Sequence, residues 1–191
     1  MKGKLIKVNK DKNFGFIKGL DQKEYFLNPS GLINGIDFSQ LSEGQNVEFE
    51  IKKQQGDRKD LAVNCMLLED ELISFFKENT LNLNTMKDYD LFCDNSCEYA
   101  NRLKKAKVTT SMIRKVYTKV LNASSIMEIK TLRPQFAYTA GRNDNLTLKD
   151  FMDLLDYLVK KMDCNNEQEM VNFKQFMEAI VAYRKYVGED K

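Results

Sequence analysis

The sequence predicts an α+β protein of two domains, a five-stranded closed β-barrel over residues 1–68 and an all-α bundle of about five helices over residues 69–191. Three observations carry this. The apolar pattern changes period, from alternation in the first third of the chain to helical spacing in the rest. Clusters of turn-forming residues cut the first third into five short runs. The two prolines, Pro29 and Pro134, fall where they interrupt no helical run. A chain of 191 residues is long enough to build one or two hydrophobic cores.

The strands follow in order. Residues 3–8 and 13–18 are short apolar and basic runs separated by Asn9-Lys10-Asp11-Lys12. Residues 23–27 form a third run, entered through Gly19-Leu20-Asp21-Gln22 and ended by Asn28-Pro29-Ser30-Gly31. Residues 47–53 alternate, with Val47, Phe49 and Ile51 expected inward and Glu48, Glu50 and Lys52 outward. Gln55-Gly56-Asp57 turns the chain, and residues 60–67 return. So many short strands in so little chain suit a small closed barrel.

The helices come next. Residues 88–105 form one. Thr109-Thr110-Ser111 offers a cap for another, which carries Ile113, Val116, Tyr117 and Val120 inward. Thr147 is expected to cap a helix with Leu148, Phe151, Met152, Leu155, Leu158, Val159 and Met162 on one stripe. Asn165-Asn166 precede a last helix with Met170, Phe173, Phe176, Met177, Ile180 and Val181 inward, ended near Gly188. Residues 81–87 are expected to form a loop, and Tyr138 is expected in the core.

The side-chain inventory narrows the chemistry. The chain has no histidine, so no Ser-His, Cys-His or His-metal mechanism can be built. Cys65, Cys93, Cys97 and Cys164 lack the further ligands a metal site needs, although Cys93 and Cys97 share one helix face. Reduced, partly buried thiols are expected, with no metal and no cofactor. Asp150, Asp153 and Asp156 have the spacing of a solvated helix face, beside Lys149 and Lys160, rather than of a nuclease centre. No catalytic residues are assigned. No apolar run approaches the ~18 residues of a membrane span, and the first residues carry no signal-peptide core, so a cytoplasmic protein without a membrane partner is expected.

Net charge is only +2, but it is unevenly spread. Residues 99–142 hold ten basic residues against one acid, Glu128, whereas the segments on either side are net acidic. Such a block is a candidate footprint for a polyanion. Within it Arg102, Lys104, Lys105 and Lys107 cluster before the helix whose outer face holds Arg114, Lys115 and Lys119. Lys115 and Lys119 are like charges one turn apart, a cost of about 0.2–0.5 kcal/mol that a bound polyanion turns into attraction. Arg133 and Arg142 supply planar forks suited to phosphate oxygens. These nine side chains are the candidate polyanion contacts of the helical domain, and RNA contacts under the second resemblance given below.

Two resemblances sharpen this outline. The string Lys12-Asn13-Phe14-Gly15-Phe16-Ile17, followed by Tyr25-Phe26-Leu27, resembles the paired RNA-binding motifs of the cold-shock domain family. Lys2-Gly3 and Glu43-Gly44-Gln45-Asn46-Val47-Glu48-Phe49 extend the likeness over about residues 2–67. It implies an oligonucleotide/oligosaccharide-binding (OB) barrel with Phe14, Phe16 and Phe26 stacking unpaired bases, at ~1–3 kcal/mol each, and Lys7 and Lys12 attracting phosphates. The family's tryptophan, histidine and two further phenylalanines are replaced by Lys7, Val8, Asn28 and Pro29, which removes about half the stacking platform. That leaves two uses for the barrel open, RNA binding when tethered to a larger particle and protein docking.

The second resemblance covers about residues 90–187, to the small subunit of type III-A CRISPR (Csm-type) effector complexes. It rests on Tyr99-Ala100 through Lys107 with Thr109-Thr110-Ser111-Met112-Ile113-Arg114-Lys115-Val116-Tyr117, on Leu132-Arg133-Pro134-Gln135-Phe136-Ala137-Tyr138-Thr139-Ala140-Gly141-Arg142, and on Phe173-Lys174-Gln175-Phe176-Met177-Glu178-Ala179-Ile180-Val181-Ala182-Tyr183. It implies a non-catalytic, all-helical subunit present in several copies. Guide RNA, target RNA, the backbone subunit and the large subunit are its implied partners. Glu178, Ile180 and Tyr183 are expected to be structural or at a subunit contact. The other candidate is a stand-alone single-stranded RNA chaperone whose helices serve to oligomerise it, motivated by the Phe14/Phe16/Phe26 trio.

Overall fold

The computed structural model describes residues 1–33, 35–56 and 58–188. The chain divides into two compact units, Met1–Asp70 and Glu71–Lys191, each with its own hydrophobic core.

The first unit is a closed barrel of β1 (Lys2–Asn9), β2 (Phe14–Gly19), β3 (Glu24–Leu27), β4 (Asn46–Lys52) and β5 (Leu61–Leu67), in the spatial order β1-β2-β3-β5-β4. Neighbours run antiparallel except β3 and β5, which meet in parallel at Phe26 and Leu61. Alternation sends Leu5, Ile17, Tyr25, Leu27, Val47, Phe49, Ala62 and Cys65 inside, and Phe38 and Leu41 from the β3–β4 connection complete the core. Gly15 also faces inward. A Cβ there would stand 2.9 Å from the Lys7 carbonyl oxygen, so glycine permits the close approach of β1.

The expected inward place of Ile51 is not found. Asn64 and Cys65 of β5 together face Phe49, a bulge at which Asn64 takes φ 50°. Beyond it β4 runs past the closed core, and Ile51 is 41% exposed. Of the turn expected at Gln55-Gly56-Asp57, Gly56 takes φ 78°, while Asp57 lies outside the described residues.

The second unit contains α1 (Glu71–Asn79), α2 (Tyr89–Lys105), α3 (Thr110–Asn122), the five-residue α4 (Ile126–Lys130), α5 (Arg133–Gly141), α6 (Leu146–Lys161) and α7 (Glu167–Tyr186). Among the described residues, six helices of nine residues or more thus form the bundle. The Asp88 carboxylate caps α2 by accepting from Leu91 N–H at 3.0 Å, and Thr109 caps α3 by accepting from Met112 N–H at 3.2 Å. For α6 the cap is Asn145, not Thr147. Its Oδ1 accepts from Leu148 N–H at 3.1 Å, and its Nδ2 donates to the Ala106 carbonyl at 2.5 Å. The capping bond is local, three residues along the chain, and the second bond ties the cap across the fold.

The expected loop over residues 81–87 is largely wound into a 3₁₀ segment, Thr80–Thr85, kinked at Asn82. Buried Asn172 of α7 holds it, donating to the Leu81 carbonyl at 2.7 Å and to Asn84 Oδ1 at 2.8 Å. The stripes of α3, α6 and α7 are buried as their spacing demands, with Met170 and Tyr117 half-buried at the edge. Phe76 of α1 is central to the core. Its ring centroid lies 5.0 Å from Phe176, 5.5 Å from Tyr99 and 6.4 Å from Phe92.

Candidate nucleic-acid interface

On the barrel, strand register builds an aromatic face. Phe16 on β2 is opposite Phe26 on β3 and opposite Lys7 on β1, so three neighbouring strands contribute one outward row. Phe14 lies two residues before Phe16 on the same side of β2. The Phe14, Phe16 and Phe26 centroids are 5.7–6.1 Å apart, with Phe14 and Phe26 nearly parallel at 22°. All three are half-buried, in contrast to the fully buried Ile17, Tyr25 and Leu27 between them. Their partly exposed sides form the outer surface of the barrel here. Lys7 and Lys12 are exposed beside them.

The turn into β3 is pinned from within. The Tyr25 hydroxyl donates to Asp21 Oδ2 at 2.7 Å. That bond, with burial, raises the phenol to about 12, and the same bond holds the Asp21 carboxyl below its ordinary value. The sequence did not single out Lys59, whose ammonium lies 4.7 Å from the Phe16 centroid and pairs with Glu24. It precedes β5 in sequence, and no spacing rule ties it to β2.

In the helical unit the basic residues separate into two groups. Arg114, Lys115 and Lys119 project from the exposed side of α3, opposite buried Ile113, Val116 and Val120. Lys105 and Lys107 are likewise exposed, and Lys107 takes φ 59° in the turn between α2 and α3. Lys119 and several of the remaining candidates already hold partners. Lys119 Nζ donates to Gln135 Oε1 at 2.6 Å, and Lys104 Nζ donates to the Val187 carbonyl. Arg102 is half-buried with its guanidinium 5.8 Å from the Tyr99 centroid. Arg142 makes a long contact, 3.4 Å, to the Tyr138 hydroxyl.

Arg133 is the clearest departure from an open phosphate fork. Its Nε and Nη2 donate to Asp156 Oδ1 and Oδ2 at 2.7 and 3.0 Å, a bidentate pair joining α5 to α6. The pair borders a groove of about 710 Å³ that Lys130, Pro134, Ala137 and Met152 also line. Asp156 is thereby an ion-pair partner, and no group of three or more metal-binding side chains occurs among the described residues.

Tyr138, expected in the core, is 63% exposed. Phe136 and Ala140 take the buried side of α5, and Tyr138 lies about 200° round the helix from Phe136. Ile180 is buried, Tyr183 half-buried and Glu178 exposed. The cysteines are free thiols, Cys65 buried and Cys164 exposed, and burial pushes the Cys65 thiol up to about 11. No helix among the described residues is long and apolar enough to cross a membrane.

An OB-type barrel with an aromatic outer row, joined to a helical bundle with a cationic helix face, defines the class of the protein as a two-domain barrel–bundle fusion. Residues 1–68 match the family described as 'Cold-shock' DNA-binding domain, and residues 86–190 match Csm2 Type III-A. The chain belongs to the Csm2 Type III-A family and carries a cold-shock domain at its N-terminal end. Among its relatives, a cold shock-like protein CspC of Buchnera aphidicola is 45% identical over 69 residues, 36% of this chain and 96% of that protein. CspC of Escherichia coli K12 is 46% identical over 65 residues, 34% of this chain and 90% of that protein. The CRISPR system Cms protein Csm2 of Streptococcus thermophilus is 33% identical over 63 residues, 33% of this chain and 50% of that protein. The fusion expected from the two resemblances is therefore present.

Proposed function

We propose that the protein is a non-catalytic, RNA-binding small subunit of a type III-A CRISPR effector complex. It contacts the sugar-phosphate backbone of the guide–target RNA duplex, the backbone and large subunits, and further copies of itself, in the cytoplasm. The observation that carries this is the outer face of α3. The side chains of Arg114 and Lys115 are exposed there and, among the described residues, have no hydrogen-bonded or ionic partner. They stand in the segment that matches the Csm2 family. Backbone contacts carry no sequence information, which suits a complex whose guide strand reads the target by base pairing.

The test is target-RNA binding by the assembled complex with Arg114, Lys115 and Lys119 reversed to glutamate. Affinity should fall about ten- to a hundredfold at low salt, and the salt slope should flatten by about 0.7–0.9 per lost contact. Unchanged affinity and slope would remove the reading. Arg133 is left out of this set, because its reversal would break the pair with Asp156.

The Phe14/Phe16/Phe26 face favours a second reading, a stand-alone single-stranded RNA chaperone. Titration of residues 1–70 with a pyrimidine-rich oligonucleotide separates the two. Micromolar or tighter binding supports the chaperone, and its absence leaves the barrel as an accessory module.

A further inference from the structure

One cation on the barrel stands where a base would have to go. Lys59 holds its Nζ 4.7 Å from the centroid of Phe16 and pairs with the Glu24 carboxylate at the start of β3. That hydrogen bond keeps the Glu24 carboxyl below its ordinary value. The backbone next to Lys59 is fixed. Phe26 N–H donates to the Asp60 carbonyl at 2.9 Å, and Gln54 N–H donates to Asp60 Oδ1 at 3.0 Å. The two paired side chains, by contrast, are 49% and 44% exposed, so water or another ligand can replace either partner.

An ammonium over an aromatic ring satisfies the ring's attraction for a cation and covers the surface on which a base would stack. Stacking on that side of Phe16 requires the Lys59 head to move. Moving does not leave it without a counter-ion, because each stacked nucleotide brings a phosphate. Glu24 stays behind, unneutralised, beside the incoming strand. Resting on the reading that the aromatic face binds single-stranded RNA, we propose that Lys59 and Glu24 form an exchange latch over Phe16. In the free protein Lys59 covers the ring and neutralises Glu24. In the complex it trades that carboxylate for a strand phosphate. Lys59 thereby adds a phosphate contact to a platform short of aromatic rings, and Glu24 sets what that contact costs.

The test is a fluorescence-anisotropy titration of the full chain with a labelled oligouridylate of about eight nucleotides, a length one OB fold covers, at several salt concentrations. Glu24→Gln should tighten binding about two- to fivefold, the range expected for releasing an exposed ion pair. Lys59→Ala should lower the salt slope by about 0.7. In the Lys59→Ala chain the Glu24→Gln gain should shrink, since only the carboxylate's repulsion of the strand remains to be removed. An equal gain in both backgrounds, or a slope unchanged by Lys59→Ala, overturns the latch. Phe16→Ala separates the two levels. If it weakens binding while the Glu24 and Lys59 changes do nothing, the latch falls and the platform stands. If wild type and Phe16→Ala bind alike, or neither binds, the platform falls and the latch with it.

Discussion

The barrel and the helical bundle differ in the chemistry of their exposed faces. On β2 and β3 three phenylalanine rings lie half-buried in a row, and the cation over one of them, Lys59, is engaged by an acid. On α3 the exposed side holds Arg114, Lys115 and Lys119, and its aromatic residue, Tyr117, is half-buried against the core. Rings stack on bases, so they need bases that are unpaired. Cations need only phosphates, which a duplex and a single strand both supply. One chain thus combines a surface suited to unpaired bases with one indifferent to pairing.

The largest expected effect tests whether the two units are separate. Phe76→Ala should destabilise the helical unit by about 3–5 kcal/mol, because Phe76 is fully buried among Tyr99, Phe92 and Phe176. Urea unfolding followed by circular dichroism should show the helical transition move while oligonucleotide binding by the barrel persists. Joint loss of both would break the comparison.

Next in size is a crossed binding experiment. Phe16→Ala should cost about 1–3 kcal/mol against a single-stranded oligouridylate and little against a duplex RNA. Reversal of Arg114 and Lys115 should weaken binding of both, with flatter salt slopes. Equal losses from Phe16→Ala on the two probes would show that the rings are not stacking on bases.

Arg133→Ala should matter less. The pair with Asp156 is about 40% and 36% exposed, so its loss should cost at most about 1 kcal/mol of stability. The salt slope of RNA binding should not move, and a slope lowered as far as by Arg114→Ala would make Arg133 a phosphate ligand after all.

The smallest expected effect concerns pH. Tyr25 is held neutral by its bond to Asp21 and by burial, with a folded value of about 12 against an ordinary 10.0. Its contribution is therefore full below pH 10.0 and lost as pH rises through about 12. Urea midpoints measured across that window should fall more steeply for the wild type than for Tyr25→Phe.

Part of this arrangement is legible in the order of residues alone. Phe14 and Phe16 share strand parity, which places both rings on one side whatever the barrel's details. The i, i+3, i+4 spacing of Ile113, Val116 and Val120 leaves Arg114, Lys115 and Lys119 outside for the same reason. Asp88 and Thr109 cap their helices with side chains that reach only a few residues along the chain. Where a partner comes from far along the chain, the sequence is silent or misleading. Asn145, which caps α6 in place of Thr147, also bonds Ala106 across the fold, and Asn172 bonds the 3₁₀ segment that stands in place of the expected loop. Ile51, paired with buried Ala62, stays 41% exposed near the end of β4.

By itself, then, the sequence determined the two periods, the two families they belong to, and the sides on which the rings of β2 and the cations of α3 emerge. These follow from local backbone geometry, which repeats every two residues in a strand and every 3.6 in a helix. Only the tertiary structure decided which charges remain open. Asp156 closes the fork of Arg133 from 23 residues away, and Glu24 holds Lys59 over Phe16 from 35. An ion pair depends on distance in space, and separation along the chain does not set that distance.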